Sequence, residues 1–101
     1  MSPDERRQFP RIACRFPASA DGPRGPVRGT CADLSMGGLF LEGVLLHRDA
    51  LTAVTIEFPS GPLSFQAQVR RVSTQPPGSG MQFTRLESAQ LAVLERFARP
   101  R

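Results

Sequence analysis

Leu63-Ser64-Phe65-Gln66-Ala67-Gln68-Val69-Arg70 decides the fold class. Leu63, Phe65, Ala67 and Val69 are apolar, and every residue between them is polar or charged. Side chains along a β-strand alternate between faces, so this period of two describes a strand with one buried and one wet side. Immediately upstream, Pro59-Ser60-Gly61-Pro62 is hairpin-type turn chemistry. Before it, Val54, Ile56 and Phe58 alternate with Thr55 and Glu57, which gives the hairpin its first strand.

The same pattern extends in both directions. Val27 to Ala32 reads as a strand, ended by Asp33-Leu34-Ser35-Met36-Gly37-Gly38, where the two glycines can take the positive φ of a sharp turn. Leu39-Phe40-Leu41-Glu42 resumes a strand that Gly43 breaks. Arg15 to Ala20 reads as a short strand, followed by the turn-forming Asp21-Gly22-Pro23-Arg24-Gly25-Pro26. Leu45 to Leu51 is a connection of ambiguous period. Gln75-Pro76-Pro77-Gly78-Ser79-Gly80 reads as a second loop, and Met81 and Phe83 alternate with Gln82 and Thr84 on a last strand. After Leu86 the period lengthens. Leu91, Leu94, Phe97 and Ala98 share one helical face, with Ser88 as N-cap and Pro100 as the stop. Five or six short strands between Pro/Gly turns predict an all-β chain, a small antiparallel barrel or sandwich completed by one C-terminal α-helix.

The composition sets bounds on function. A chain of 101 residues holds one modest core, with little room for a separate catalytic domain. With no Trp or Tyr, its seven Phe must supply much of that core. All thirteen basic residues are Arg, the net charge is +4 and the pI is about 10.9. Codon bias accounts for such a preference as well as function does. The guanidinium fork does, however, suit phosphate oxygens and the guanine O6/N7 edge. Residues 1–10 contain no apolar run and no stretch approaches a membrane span, so a cytoplasmic location is expected, with no membrane partner. Cys14 and Cys31 lack metal-ligand spacing and read as reduced packing or partly exposed thiols, so no metal is expected.

Nothing in the chain composes a catalytic site. The carboxylates are scattered, the lone His47 sits beside Arg48 and Asp49 in a segment that reads as a solvated loop, and no nucleophile elbow or phosphate-binding glycine loop is present. Two other elements attract attention. Residues 1–11 read as a flexible, arginine-rich, extended arm, in which Arg6, Arg7 and Arg11 repel one another unless an anion lies between them. Taken alone this is equally a solvated tail balanced by Asp4 and Glu5. The second is Asp33-x-Ser35-x-x-Gly38. On a strand, Asp33 and Ser35 would share a face. The carboxylate could accept from a guanine N1–H/N2–H₂ edge and the hydroxyl could donate to a phosphate, while Gly38 would let a backbone come close. Alone it is also an ordinary capped strand end.

In combination, these residues resemble the PilZ family. Arg6, Arg7 and Arg11 match its R-R-x-x-x-R pattern, and Asp33, Ser35 and Gly38 match D-x-S-x-x-G. Gly78, Gly80, Met81 and Phe83 match a weaker G-x-G-[VM]-x-F pattern. The resemblance runs from about Arg6 to Phe97. It implies a six-stranded antiparallel barrel over residues 12–101 preceded by the arm, and a receptor for the bacterial second messenger cyclic di-GMP that is not an enzyme and uses no cofactor. It assigns phosphate and guanine contacts to Arg7 and Arg11 and polar contacts to Asp33 and Ser35. Arg6, just before R-x-x-x-R, suggests a stacked pair of ligands. Ordering of the arm would relay the signal to an effector protein or to a ligand-linked dimer, with motility or exopolysaccharide production as outputs. Two alternatives accompany this reading. One is a PilZ-like adaptor that binds only protein. The other is a basic barrel that binds nucleic acid, which would need exposed aromatics, whereas Phe40, Phe58, Phe65 and Phe83 fall in phase with aliphatic core residues.

Overall fold

A computed structural model describes residues 11–98. Six strands and one helix follow in order: β1 (Ile12–Gly22), β2 (Gly25–Leu34), β3 (Gly38–Glu42), β4 (Leu51–Phe58), β5 (Gly61–Thr74), β6 (Pro77–Arg85) and α1 (Ser88–Ala98). The strands close into one antiparallel barrel in the order β1-β2-β3-β6-β5-β4, with β1 pairing back onto β4. Closure gives every strand a pairing partner on both sides.

Residues 63–70 form the middle of β5. Phe65, Ala67 and Val69 are buried inside the barrel, as are Val54, Ile56 and Phe58 of β4. Leu39 and Leu41 of β3, with Met81 and Phe83 of β6, complete the layer. Phe65 and Phe83 stack with centroids 4.7 Å apart. Gly61, at φ 125°, makes the hairpin turn between β4 and β5. The helix covers one end of the barrel. Leu94 is fully buried, and Phe97 packs on Phe16 and Phe58 with centroids 5.6 and 5.3 Å away.

Several local expectations are corrected. Loops are shorter and strands longer than turn chemistry suggested. Only Pro23 and Arg24 separate β1 from β2, and only Gln75 and Pro76 separate β5 from β6. Pro77 to Gly80 therefore belong to β6 rather than to a loop, because ladder pairing to β3 overrides their weak strand propensity. At the helix start, the Gln90 side chain accepts from the Glu87 backbone N–H at 2.7 Å and donates to the Ser64 carbonyl at 2.7 Å. Glu87 is thus the cap, with Gln90 reaching back as in a capping box, and Ser88 is the first helical residue. The helix's inward face holds Val93, Leu94 and Phe97, while Leu91 is outside that cluster and 37% exposed. Phe40 is buried but outside the core cluster, since Leu39 and Leu41 on either side of it point inward.

Candidate functional site

Two β-bulges determine which side chains reach the outside of the barrel. In β2, Cys31 is buried in the core, so strict alternation would send Asp33 inward as well. The register slips between Cys31 and Asp33, however, which turns Asp33 out and Leu34 in. In β5, Val69 is buried and the register slips before Arg71, which turns Arg71 out in the same way. Regular pairing then sets these residues in one row across four strands. Asp33 lies opposite Phe40, Phe40 opposite Gly80, and Gly80 opposite Arg71. Directly opposed residues share a face, so a carboxylate, an aromatic ring, a gap and a guanidinium line up over three strand spacings, roughly 14 Å.

The glycines of β6 create the space between them. A Cβ on Gly78 would lie 2.4 Å from Cζ of Phe40, so this ring rests where a side chain would otherwise stand. At Gly80 the atoms nearest an added Cβ all belong to Arg71, with Nε at 3.5 Å, so the arginine side chain lies across the bare backbone. The loose G-x-G pattern thus forms the floor of the row. Above it is an open depression of about 640 Å³, lined by Asp33, Phe40, Arg71 and residues 72–76.

Arg11, the last residue before β1, donates from a guanidinium nitrogen to Oδ1 of Asp33 at 2.5 Å. The ion pair is largely open to water, the two side chains being 51% and 31% exposed. Arg11 and Asp33, which the sequence placed in separate elements, are therefore in contact. No carboxylate among the described residues pairs with Arg71. Arg6 and Arg7 lie outside the described residues.

Ser35 and Gly38 have other work in this structure. β2 ends at Leu34, so Ser35 lies in the turn and does not share a strand face with Asp33. Its side chain is buried, and its oxygen accepts from the backbone N–H groups of Gly37 at 3.0 Å and Gly38 at 3.1 Å. The Ser35 N–H donates in turn to the Gly38 carbonyl at 2.9 Å. Neither Gly37 nor Gly38 has positive φ; among the described glycines that conformation occurs at Gly25, Gly43 and Gly61. Gly38 is needed for close approach instead, because an added Cβ would sit 1.9 Å from the Met81 carbonyl oxygen. Arg71 is the site residue that sequence reasoning missed. Its only signals were the Arg70-Arg71 doublet and the G-x-G opposite, and the bulge that aims it is invisible to a period-two reading.

The PilZ domain family model matches residues 5–99. This chain belongs to the PilZ family. No curated protein sequence matches it. Among solved structures, the PilZ domain is similar to that of CeSA from a cellulose-synthesizing bacterium, with TM-score 0.68 and 20% identity, over 87% of this chain and 93% of that one. It is similar to YcgR from Escherichia coli in complex with c-di-GMP, with TM-score 0.78 and 20% identity, over 90% of this chain and 43% of that one. It also resembles the Bacillus subtilis inhibitor of motility MotI/DgrA, with TM-score 0.75 and 15% identity, over 93% of this chain and 49% of that one. These likenesses show the fold. Among the described residues, no helix of the PilZ domain is long and apolar enough to cross a membrane.

Proposed function

We propose that this PilZ domain is a receptor for cyclic di-GMP and not an enzyme. The observation that carries the reading is the row Asp33–Phe40–Gly80–Arg71 with Arg11 already bound to Asp33. It presents a carboxylate for the guanine N1–H/N2–H₂ edge, an apolar ring edge and a guanidinium that pairs with no carboxylate among the described residues, over a span that suits a dinucleotide. Arg7 and Arg11 supply charge-assisted bonds to phosphate and base, and Arg71 meets the ligand from the far side of the depression. Ser35 and Gly38 act mainly by holding the turn that fixes Asp33. The c-di-GMP complex of YcgR, which shares the barrel, supports the ligand class.

Ligand entry needs little energy. A solvent-exposed ion pair such as Arg11–Asp33 contributes about 0–1 kcal/mol, so guanine can take over the carboxylate while Arg11 turns to a phosphate. Arg6, Arg7 and Arg11 are then drawn together by the ligand's two negative charges, and ordering of residues 1–11 relays the signal to an effector protein or a second copy of the chain. Arg6 favours a stacked pair of ligands.

Isothermal calorimetry with cyclic di-GMP tests the reading. The parent chain binds with a stoichiometry near two, and Arg7→Ala and Arg11→Ala each weaken binding by about tenfold or more, since a hydrogen bond to a charged group is worth about 1.5–3 kcal/mol. Normal binding by both variants would refute the site. A stoichiometry of one would refute the role given to Arg6.

A further inference from the structure

Cys14 and Cys31 take no part in the proposed recognition, yet their sulfurs lie 3.7 Å apart on neighbouring strands. Both thiols are free; Cys14 is half-buried and Cys31 is buried in the core. Two irregular stretches face each other here. The β1–β2 register slips between Ala13 and Phe16, a segment that contains Cys14, and the β2–β3 register slips just after Cys31. The backbone around the pair is therefore not locked into an unbroken ladder, and closing the gap to a bond of about 2 Å requires only local movement. The Cys14 thiol also contacts the Cys31 carbonyl at 3.2 Å, and the Cys31 thiol donates to the Asp33 carbonyl at 3.3 Å.

We propose that Cys14 and Cys31 are a disulfide-forming pair, a site of reversible oxidation at the foot of the Arg11–Asp33 contact. The more accessible sulfur reacts first. Hydrogen bonding from Cys31 holds the Cys14 thiol below its ordinary pKa, while the same bond and burial push Cys31 up, so Cys14 supplies the thiolate. With a peroxide as oxidant, Cys14 sulfur attacks one peroxide oxygen, the O–O bond breaks, and a sulfenic acid forms with release of water. Cys31 sulfur then displaces the sulfenic oxygen, the S–S bond forms, and the Cys31 proton leaves with that oxygen as a second water. Two thiols lose two electrons, and one peroxide is reduced to two waters.

The disulfide removes the Cys31 bond to the Asp33 carbonyl and draws the bulge that aims Asp33 toward β1. Resting on the cyclic di-GMP reading, this predicts that the oxidised chain binds the nucleotide about fivefold or more weakly, the lower end of typical coupling between sites. The test treats the folded chain with hydrogen peroxide, blocks remaining thiols with iodoacetamide in denaturant, and weighs the intact chain and its peptides. The expected product has lost two hydrogens, carries no alkyl group, contains a Cys14–Cys31 peptide cross-link and regains both thiols with dithiothreitol. Cys14→Ser and Cys31→Ala each abolish the cross-link, and peptide mapping of the parent chain decides the matter even if the core variant folds poorly. Two alkylated thiols, over-oxidation at Cys14 alone, or only intermolecular cross-links would overturn the proposal. Calorimetry on both redox forms reads the coupling. Equal affinities would overturn the coupling, whereas binding by neither form would sink the nucleotide reading and leave the mass measurement to decide the thiol pair.

Discussion

Ser35→Ala and Asp33→Ala should separate two roles that the D-x-S-x-x-G pattern presents as one. Removing the Ser35 hydroxyl leaves the N–H groups of Gly37 and Gly38 without the acceptor they now reach at 3.0 and 3.1 Å. Each bond is worth about 0.5–1.5 kcal/mol net, so the pair predicts a loss of roughly 1–3 kcal/mol. In a domain of this size that lowers the melting temperature by roughly 5–20 °C. Ser35→Thr, which keeps the oxygen, should recover most of the loss. Among the described residues Asp33→Ala breaks only the exposed Arg11 pair, and it should change stability by less than about 1 kcal/mol, while its affinity for cyclic di-GMP falls by about tenfold or more. Urea unfolding followed by far-ultraviolet circular dichroism reads the first quantity, since a chain without Trp or Tyr gives little fluorescence signal. Calorimetry reads the second. Ser35→Ala with parental stability, or Asp33→Ala with parental affinity, would refute the division of labour.

Two further substitutions probe the geometry of the row. Gly38→Ala places a methyl group 1.9 Å from the Met81 carbonyl, forces β3 and β6 apart, and should cost about 3 kcal/mol or prevent folding, as urea unfolding would show. Arg71→Ala should leave stability within about 0.5 kcal/mol and weaken cyclic di-GMP binding by about tenfold or more in calorimetry.

Legibility in the sequence followed the regularity of the backbone. Where alternation runs unbroken, as in Leu63 to Val69, it alone identifies the inward residues. Where a bulge intervenes, alternation misleads. By phase, Asp33 and Arg71 both belong inside the barrel, and a one-residue slip in each strand puts them outside. Phe40 was misplaced for a related reason. In the all-apolar run Leu39-Phe40-Leu41 composition cannot say which residue faces out, and the decision rests on the room that Gly78 leaves for the ring. Turn-rich composition also hid the start of β6, where Gly78, Ser79 and Gly80 pair with Leu41 and Phe40 and their neighbours despite poor strand propensity. Asp33 was found through its motif, and its contact with Arg11 required the fold. Arg71 had no motif and required the register.

A titration of isotopically labelled chain with cyclic di-GMP, followed by NMR, addresses the central claim most directly. The largest shifts should fall on Arg11, Asp33, Phe40, Gly80 and Arg71, with the far wall of the barrel, around Thr55 and Ser64 on the outer face of β4 and β5, unaffected. Saturating nucleotide that leaves this row unperturbed, or that shifts only residues around Thr55 and Ser64, would contradict the account.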